Sequence, residues 1–85
     1  MEKEFTIINP AGIHARPANA IMDKAITFTC RITLQKDAKM ANAKSMVSLL
    51  KLGAKMGDTV TVITDGEDEL EALAAVGEII QSSID

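Results

Sequence analysis

His14, Arg16 and Pro17 stand together in the stretch GIHARPANA, and His14 is the only imidazole in the chain. Their spacing has a chemical use if a helix begins beside the ring. A helix start presents unpaired backbone N–H groups and the positive end of the helix dipole, which form an anion site before any side chain is added. The same field disfavours imidazolium, so the expected form of His14 is a neutral ring whose nitrogen can attack phosphorus. Arg16 offers a planar guanidinium fork that matches phosphoryl oxygens. The backbone amides of Ala15 and Arg16 complete a phosphate cradle, and Gly12 lets the chain turn tightly under the ring. Phosphoryl transfer depends mainly on positioning and charge stabilisation, and this set supplies both. An arbitrary H-x-R-P is more often a loop histidine beside a solvated arginine, so the flanking elements have to decide.

Other chemistries lack their residues. One histidine without a cysteine cluster or an H-E-x-x-H pair offers too few ligands for a metal, and no G-x-x-x-x-G-K-[ST] is present to hold a nucleotide, so no cofactor is expected. Cys30 is single, which excludes an internal disulfide and points to a reducing compartment, the cytoplasm. No apolar run reaches the roughly 18 residues of a membrane span, and MEKEFTIIN does not read as a signal peptide. A net charge of −3 and two phenylalanines as the only aromatics speak against direct nucleic-acid binding, which needs basic surface and stacking platforms. The acids gather near Glu67 to Glu71, leaving the remaining surface near neutral or mildly basic.

The elements that position His14 follow from periodicity. Glu4 to Ile8 puts Phe5 and Ile7 on one side of a first strand, ended by Asn9, Pro10 and Gly12. From Pro17, a residue suited to a first helical turn, Ala18, Ile21, Met22, Ala25 and Phe28 recur at helical spacing. Thr29 to Gln35 alternates, with Cys30, Ile32 and Leu34 inward, and KDAK turns the chain into Met40 to Ala43. Ser45 before MVSLLKLG, with Gly53 closing it, favours a short capped helix. Asp58 to Thr64 is a last strand, rich in Thr, Val and Ile. A final helix carries an inward stripe of Leu70, Leu73, Ala74, Gly77, Ile80 and Ile84, with Glu67, Asp68 and Glu69 expected to stabilise the positive end of its dipole. The order βαββαβα in one domain, residues 1–85, predicts an α+β open-faced sandwich: a four-stranded antiparallel sheet covered on one face by three helices.

The stretches GIHARPA, NAKSMVSLLKLG and VTVITDGEDELEAL, in that order and across nearly the whole chain, resemble HPr, the histidine phosphocarrier of the phosphoenolpyruvate-dependent sugar phosphotransferase system. The resemblance implies that His14 accepts a phosphoryl group on Nδ1 from enzyme I and donates it to sugar-specific IIA proteins, with Arg16 as phosphate partner. The chain would then be a protein substrate rather than an enzyme, acting as a monomer. It further implies that Ser45 matches a serine that a dedicated ATP-dependent kinase, HPr kinase/phosphorylase, modifies in many relatives, which slows transfer and creates a ligand for a catabolite-control transcription regulator. Helix capping alone also explains Ser45, and both readings stand at this point. A regulatory module acting through Ser45 and docking is the alternative to a carrier, and the intact His14 and Arg16 favour the carrier.

Docking is expected around the first two helices, with Ala20, Met46, Val47 and Leu50 outward, because the second helix has more apolar residues than one buried face accepts. Several departures from the family pattern matter, and none of them touches His14 or Arg16. Ala11 stands where relatives often carry Asn, Ser or Thr; Asp23 and Ile26 replace positions that are frequently polar or basic, making docking more apolar; and the KDAK turn lacks the usual glycine.

Overall fold

A computed structural model of the chain describes residues 1–82. Along them run β1 (Glu2–Thr6), α1 (Ala15–Ala25), β2 (Arg31–Lys36), β3 (Lys39–Asn42), α2 (Met46–Lys51), β4 (Thr59–Asp65) and α3 (Glu69–Ile80). The order βαββαβα is the expected one. Every strand pairing is antiparallel and the sheet order is β1-β4-β2-β3. Alternation gives the sheet one apolar face: Phe5, Ile32, Leu34, Ala41, Val60 and Val62 are buried, while Glu4, Arg31, Met40 and Thr59 are exposed. The helices cover the apolar face, α1 packing on α2 and α3, and α3 on β1 and β4. Thr64 is the polar residue this face buries on β4, and its hydroxyl is satisfied by donating to Glu69 O at 2.9 Å.

The β2–β3 turn solves the missing glycine locally. Lys36 pairs with Lys39 across Asp37 and Ala38, and Asp37 takes φ 54°, a left-handed conformation that a short polar side chain tolerates. Other boundaries move by a residue or two. Helix α1 begins at Ala15, beside His14, so Pro17 is its third residue and lies in the first turn as expected, where the N–H it lacks would have had no helical partner. Because α1 ends at Ala25, Phe28 lies beyond it, half-buried against the core.

On α3 the expected inward stripe is rolled. Ala72, Leu73, Val76, Gly77 and Ile80 are buried, whereas Leu70 is 60% exposed and Ala74 is exposed; Ile84 lies outside the described residues. The cause is one close approach, since a Cβ on Gly77 would stand 2.2 Å from Phe5 Cζ. The helix meets the sheet at Gly77, so Leu73, Val76 and Ile80 around it turn inward and Leu70 turns out. Gly77→Ala is expected to lower stability by about 1–3 kcal/mol through overpacking, more than the ~1 kcal/mol that alanine gains in helix propensity. Thermal unfolding checks this, and Phe5→Leu in the same chain should recover part of the loss.

Asp68 also departs from its expected role. It is the N-cap residue of α3 but makes no side-chain cap bond. Its two carboxylate oxygens instead accept from Thr29 N at 2.8 Å and Cys30 N at 2.9 Å, tying the start of α3 to the entry of β2. These bonds, the one from Thr29 foremost, hold the Asp68 carboxyl below its ordinary value, while burial and the neighbouring Asp68 push the Cys30 thiol up. A carboxyl depressed by folding binds fewer protons folded than unfolded, so its contribution is complete above the unfolded value and is lost as pH falls through the folded one. Melting temperature followed downward from pH 5 should therefore fall less steeply for Asp68→Asn than for the wild type.

Candidate functional site

Between β1 and α1 the chain is held by backbone bonds rather than by long side chains. Asn9 makes the turn: its Oδ1 accepts from Ala11 N at 3.1 Å and its carbonyl from Gly12 N at 2.8 Å, with Pro10 in the second position, where its fixed φ fits. Gly12 has φ +70°, and a Cβ there would lie 2.5 Å from Ala54 O and 2.9 Å from Lys55 Cα. Ile13 N then donates to the same Ala54 carbonyl at 3.0 Å. Ile13 and Pro17 are buried on either side of the histidine.

His14 is the N-cap of α1, with an extended backbone (φ −110°, ψ −165°), a half-buried side chain and no side-chain cap bond. Its carbonyl takes the first helical bond, from Ala18 N at 2.9 Å. The amides of Ala15 and Arg16 precede that bond and Pro17 has none to offer, so two donors leave the helix start next to the ring. Arg16 is exposed and, among the described residues, belongs to none of the ion pairs. The three positions read from the sequence as acceptor and cradle, His14, Ala15 and Arg16, thus share one helix end. An oxyanion arriving at that end would meet backbone donors, the helix dipole and a guanidinium together. Among the described residues no group of three His, Cys, Asp or Glu side chains is placed to hold a metal ion, and no helix is long and apolar enough to cross a membrane.

Ser45 caps α2 as expected, its side chain accepting from Ser48 N at 3.3 Å. Ser48 Oγ in turn accepts from Asn42 N at 2.9 Å, which joins the helix to the end of β3. Ser45→Ala should cost about 1 kcal/mol, the usual value of a lost N-cap, read by chemical denaturation. Leu49 on α2 and Leu52 at its C-cap are buried, while Val47 is 63% and Leu50 41% exposed. Met46 and, on α1, Ala20 are half-buried. Of the departures, Ala11 and Ile26 are exposed and Asp23 accepts from Asn19 Nδ2 at 3.3 Å. The segment that holds the histidine loop runs from Ala54 to Asp58, and Asp58, expected to open the last strand, lies just before β4 and closes this segment instead. GAKMGD, which runs from Gly53 and holds Gly53 and Gly57, signals a turn but no chemistry.

A one-sheet sandwich with a histidine capping its first helix defines a narrow class of small domains. Residues 1–82 match the family described as PTS HPr component phosphorylation site. The chain is 38% identical over 78 residues to phosphocarrier protein HPr of Lysinibacillus sphaericus, covering 92% of this chain and 89% of that protein. It superposes on the structure of HPr from Thermoanaerobacter tengcongensis with a TM-score of 0.91 at 37% identity, over 95% of this chain and 91% of that one. The Bacillus subtilis catabolite repression protein Crh, solved as a dimer with a swapped segment, matches with a TM-score of 0.78 at 42% identity, over 85% and 83% of the two chains. The chain belongs to the HPr family of phosphocarrier proteins of the phosphotransferase system.

Proposed function

We propose that this chain relays a phosphoryl group in sugar uptake: enzyme I, charged from phosphoenolpyruvate, gives the group to His14, and the chain gives it on to IIA proteins. The bond from phosphorus to the donor breaks as a bond to Nδ1 of His14 forms, and the same exchange runs outward to the IIA acceptor. The observation that carries this reading is the position of His14 as N-cap, with the Ala15 and Arg16 amides ahead of the first helical bond. Arg16, exposed beside them, closes on the phosphoryl oxygens. Docking uses Val47 and Leu50, bordered by Ala20 and Met46. The chain works in the cytoplasm, as a monomer, and as a substrate of its partners rather than as an enzyme. Incubation with phosphoenolpyruvate, enzyme I and a IIA protein should place acid-labile phosphate first on this chain and then on the IIA protein. A chain that takes none would end the carrier reading.

Likeness to Crh supports a second reading, in which the chain acts as a regulatory module through Ser45 and protein docking. A phosphate at the start of α2 would meet favourable helix-end electrostatics and place charge beside exposed Val47 and Leu50. HPr kinase/phosphorylase would supply it and a catabolite-control transcription regulator would bind the product. Acid-stable phosphate from ATP and the kinase, absent in Ser45→Ala, would support this role; its absence in the wild type would leave Ser45 a cap. A stable dimer in sedimentation would speak against the monomeric relay and bring the chain closer to Crh.

A further inference from the structure

Asp58 closes the segment that grips the histidine loop. Its Oδ2 accepts from Lys55 N at 2.8 Å, and its own N–H donates to Lys55 O at 3.0 Å, so residues 55–58 form a tight turn clamped by one carboxylate. Lys36 Nζ stands 3.7 Å from the same Oδ2. That turn is fixed to the end of the first strand from both sides: Ile7 N donates to Asp58 O at 2.9 Å and Gly57 N to Ile7 O at 2.8 Å. One residue before the turn comes Ala54, whose carbonyl takes Ile13 N at 3.0 Å and leaves no space for a Cβ on Gly12. From Asp58 the path runs through the Lys55 amide and the Ala54 carbonyl to Gly12 and Ile13, and the next residue is His14. Only its first link is a side chain.

We propose that Asp58 is a positioning residue for phosphoryl transfer: its carboxylate sets the Ala54 carbonyl, and that carbonyl sets where the His14 ring lies relative to the Ala15 and Arg16 amides. The proposal rests on the reading of His14 as the phosphoryl acceptor. What matters is an acceptor at the right reach, more than the charge. Asparagine keeps that oxygen, alanine removes it, and glutamate keeps the charge but carries it one methylene too far. The docking residues Val47 and Leu50 lie outside the clamp, so recognition by enzyme I should survive when positioning fails.

The test uses the chain as the substrate of enzyme I, with phosphoenolpyruvate as donor, and separates kcat from KM. Asp58→Ala and Asp58→Glu should each lower kcat about tenfold, as a small misplacement of the reacting group does, with KM nearly unchanged, and Asp58→Asn should restore kcat. In parallel, the Ala15 and Arg16 amide and His14 ring resonances should move in Asp58→Ala and Asp58→Glu and return in Asp58→Asn. Wild-type kcat in either folded variant would overturn the proposal, as would a kcat loss in Asp58→Asn equal to that in Asp58→Ala. If Asp58→Ala does not fold, Asp58→Glu decides alone. A wild type that takes no phosphate would defeat the carrier reading instead. The resonances would still judge the clamp by itself, and unmoved signals would overturn it.

Discussion

His14→Ala is expected to carry no acid-labile phosphate after incubation with phosphoenolpyruvate and enzyme I, while melting within a few degrees of the wild type. The two halves of this result have separate causes. Removing the ring removes the nitrogen that would bond phosphorus, and His14 is the chain's single imidazole. The fold should scarcely notice, because the side chain is half-buried and makes no cap bond, and such truncations cost about 0.5 kcal/mol or less. Loss of label therefore could not be blamed on unfolding. Arg16→Ala keeps the nucleophile and loses a donor to the developing charge, so labelling should proceed about 100-fold more slowly. Arg16→Lys should fall between, since an ammonium keeps the charge without the planar fork.

Gly12→Ala is expected to injure both fold and transfer. Its φ of +70° costs an alanine about 1–2 kcal/mol, and the Cβ would press on backbone atoms, 2.5 Å from Ala54 O and 2.9 Å from Lys55 Cα, that cannot rotate away. Adding about 1–3 kcal/mol for overpacking gives a total near 2–5 kcal/mol. For a domain of this size that is a fall in melting temperature on the order of 10–30 °C. The displaced segment carries Ile13 and His14, so at a temperature where the variant is still folded its rate of labelling should drop about tenfold or more. A Gly12→Ala chain with wild-type labelling and melting would show that the loop is not held against Ala54.

Much of this architecture is legible in local pattern. Cys30, Ile32 and Leu34 alternate along one strand, Ser45 announces its helix as an N-cap, and His14 with Pro17 marks the beginning of α1. What could not be read is non-local. Leu70 and Ala74 fit an inward stripe as well as Ala72 and Val76 do, and only the contact of Gly77 with Phe5, on an element far away in sequence, decides between them. Asp68 looks like an acid placed for a helix dipole, yet its carboxylate is taken by amides 38 and 39 residues away. The clamp at Asp58 is similar: its turn is ordinary in composition, and its bearing on His14 comes from bonding Ile7 and, through Ala54 just before it, Ile13 across the fold.

The most direct test of the central claim, that the phosphoryl group sits on His14 against the first amides of α1, is NMR of the uniformly ¹⁵N-labelled chain before and after phosphorylation by enzyme I. The expected result is phosphorus coupled to a His14 ring nitrogen, with the Ala15 and Arg16 amide protons moving downfield more than any others. Phosphorus on another residue, or a phosphorylated His14 with those two amides unmoved, would contradict it.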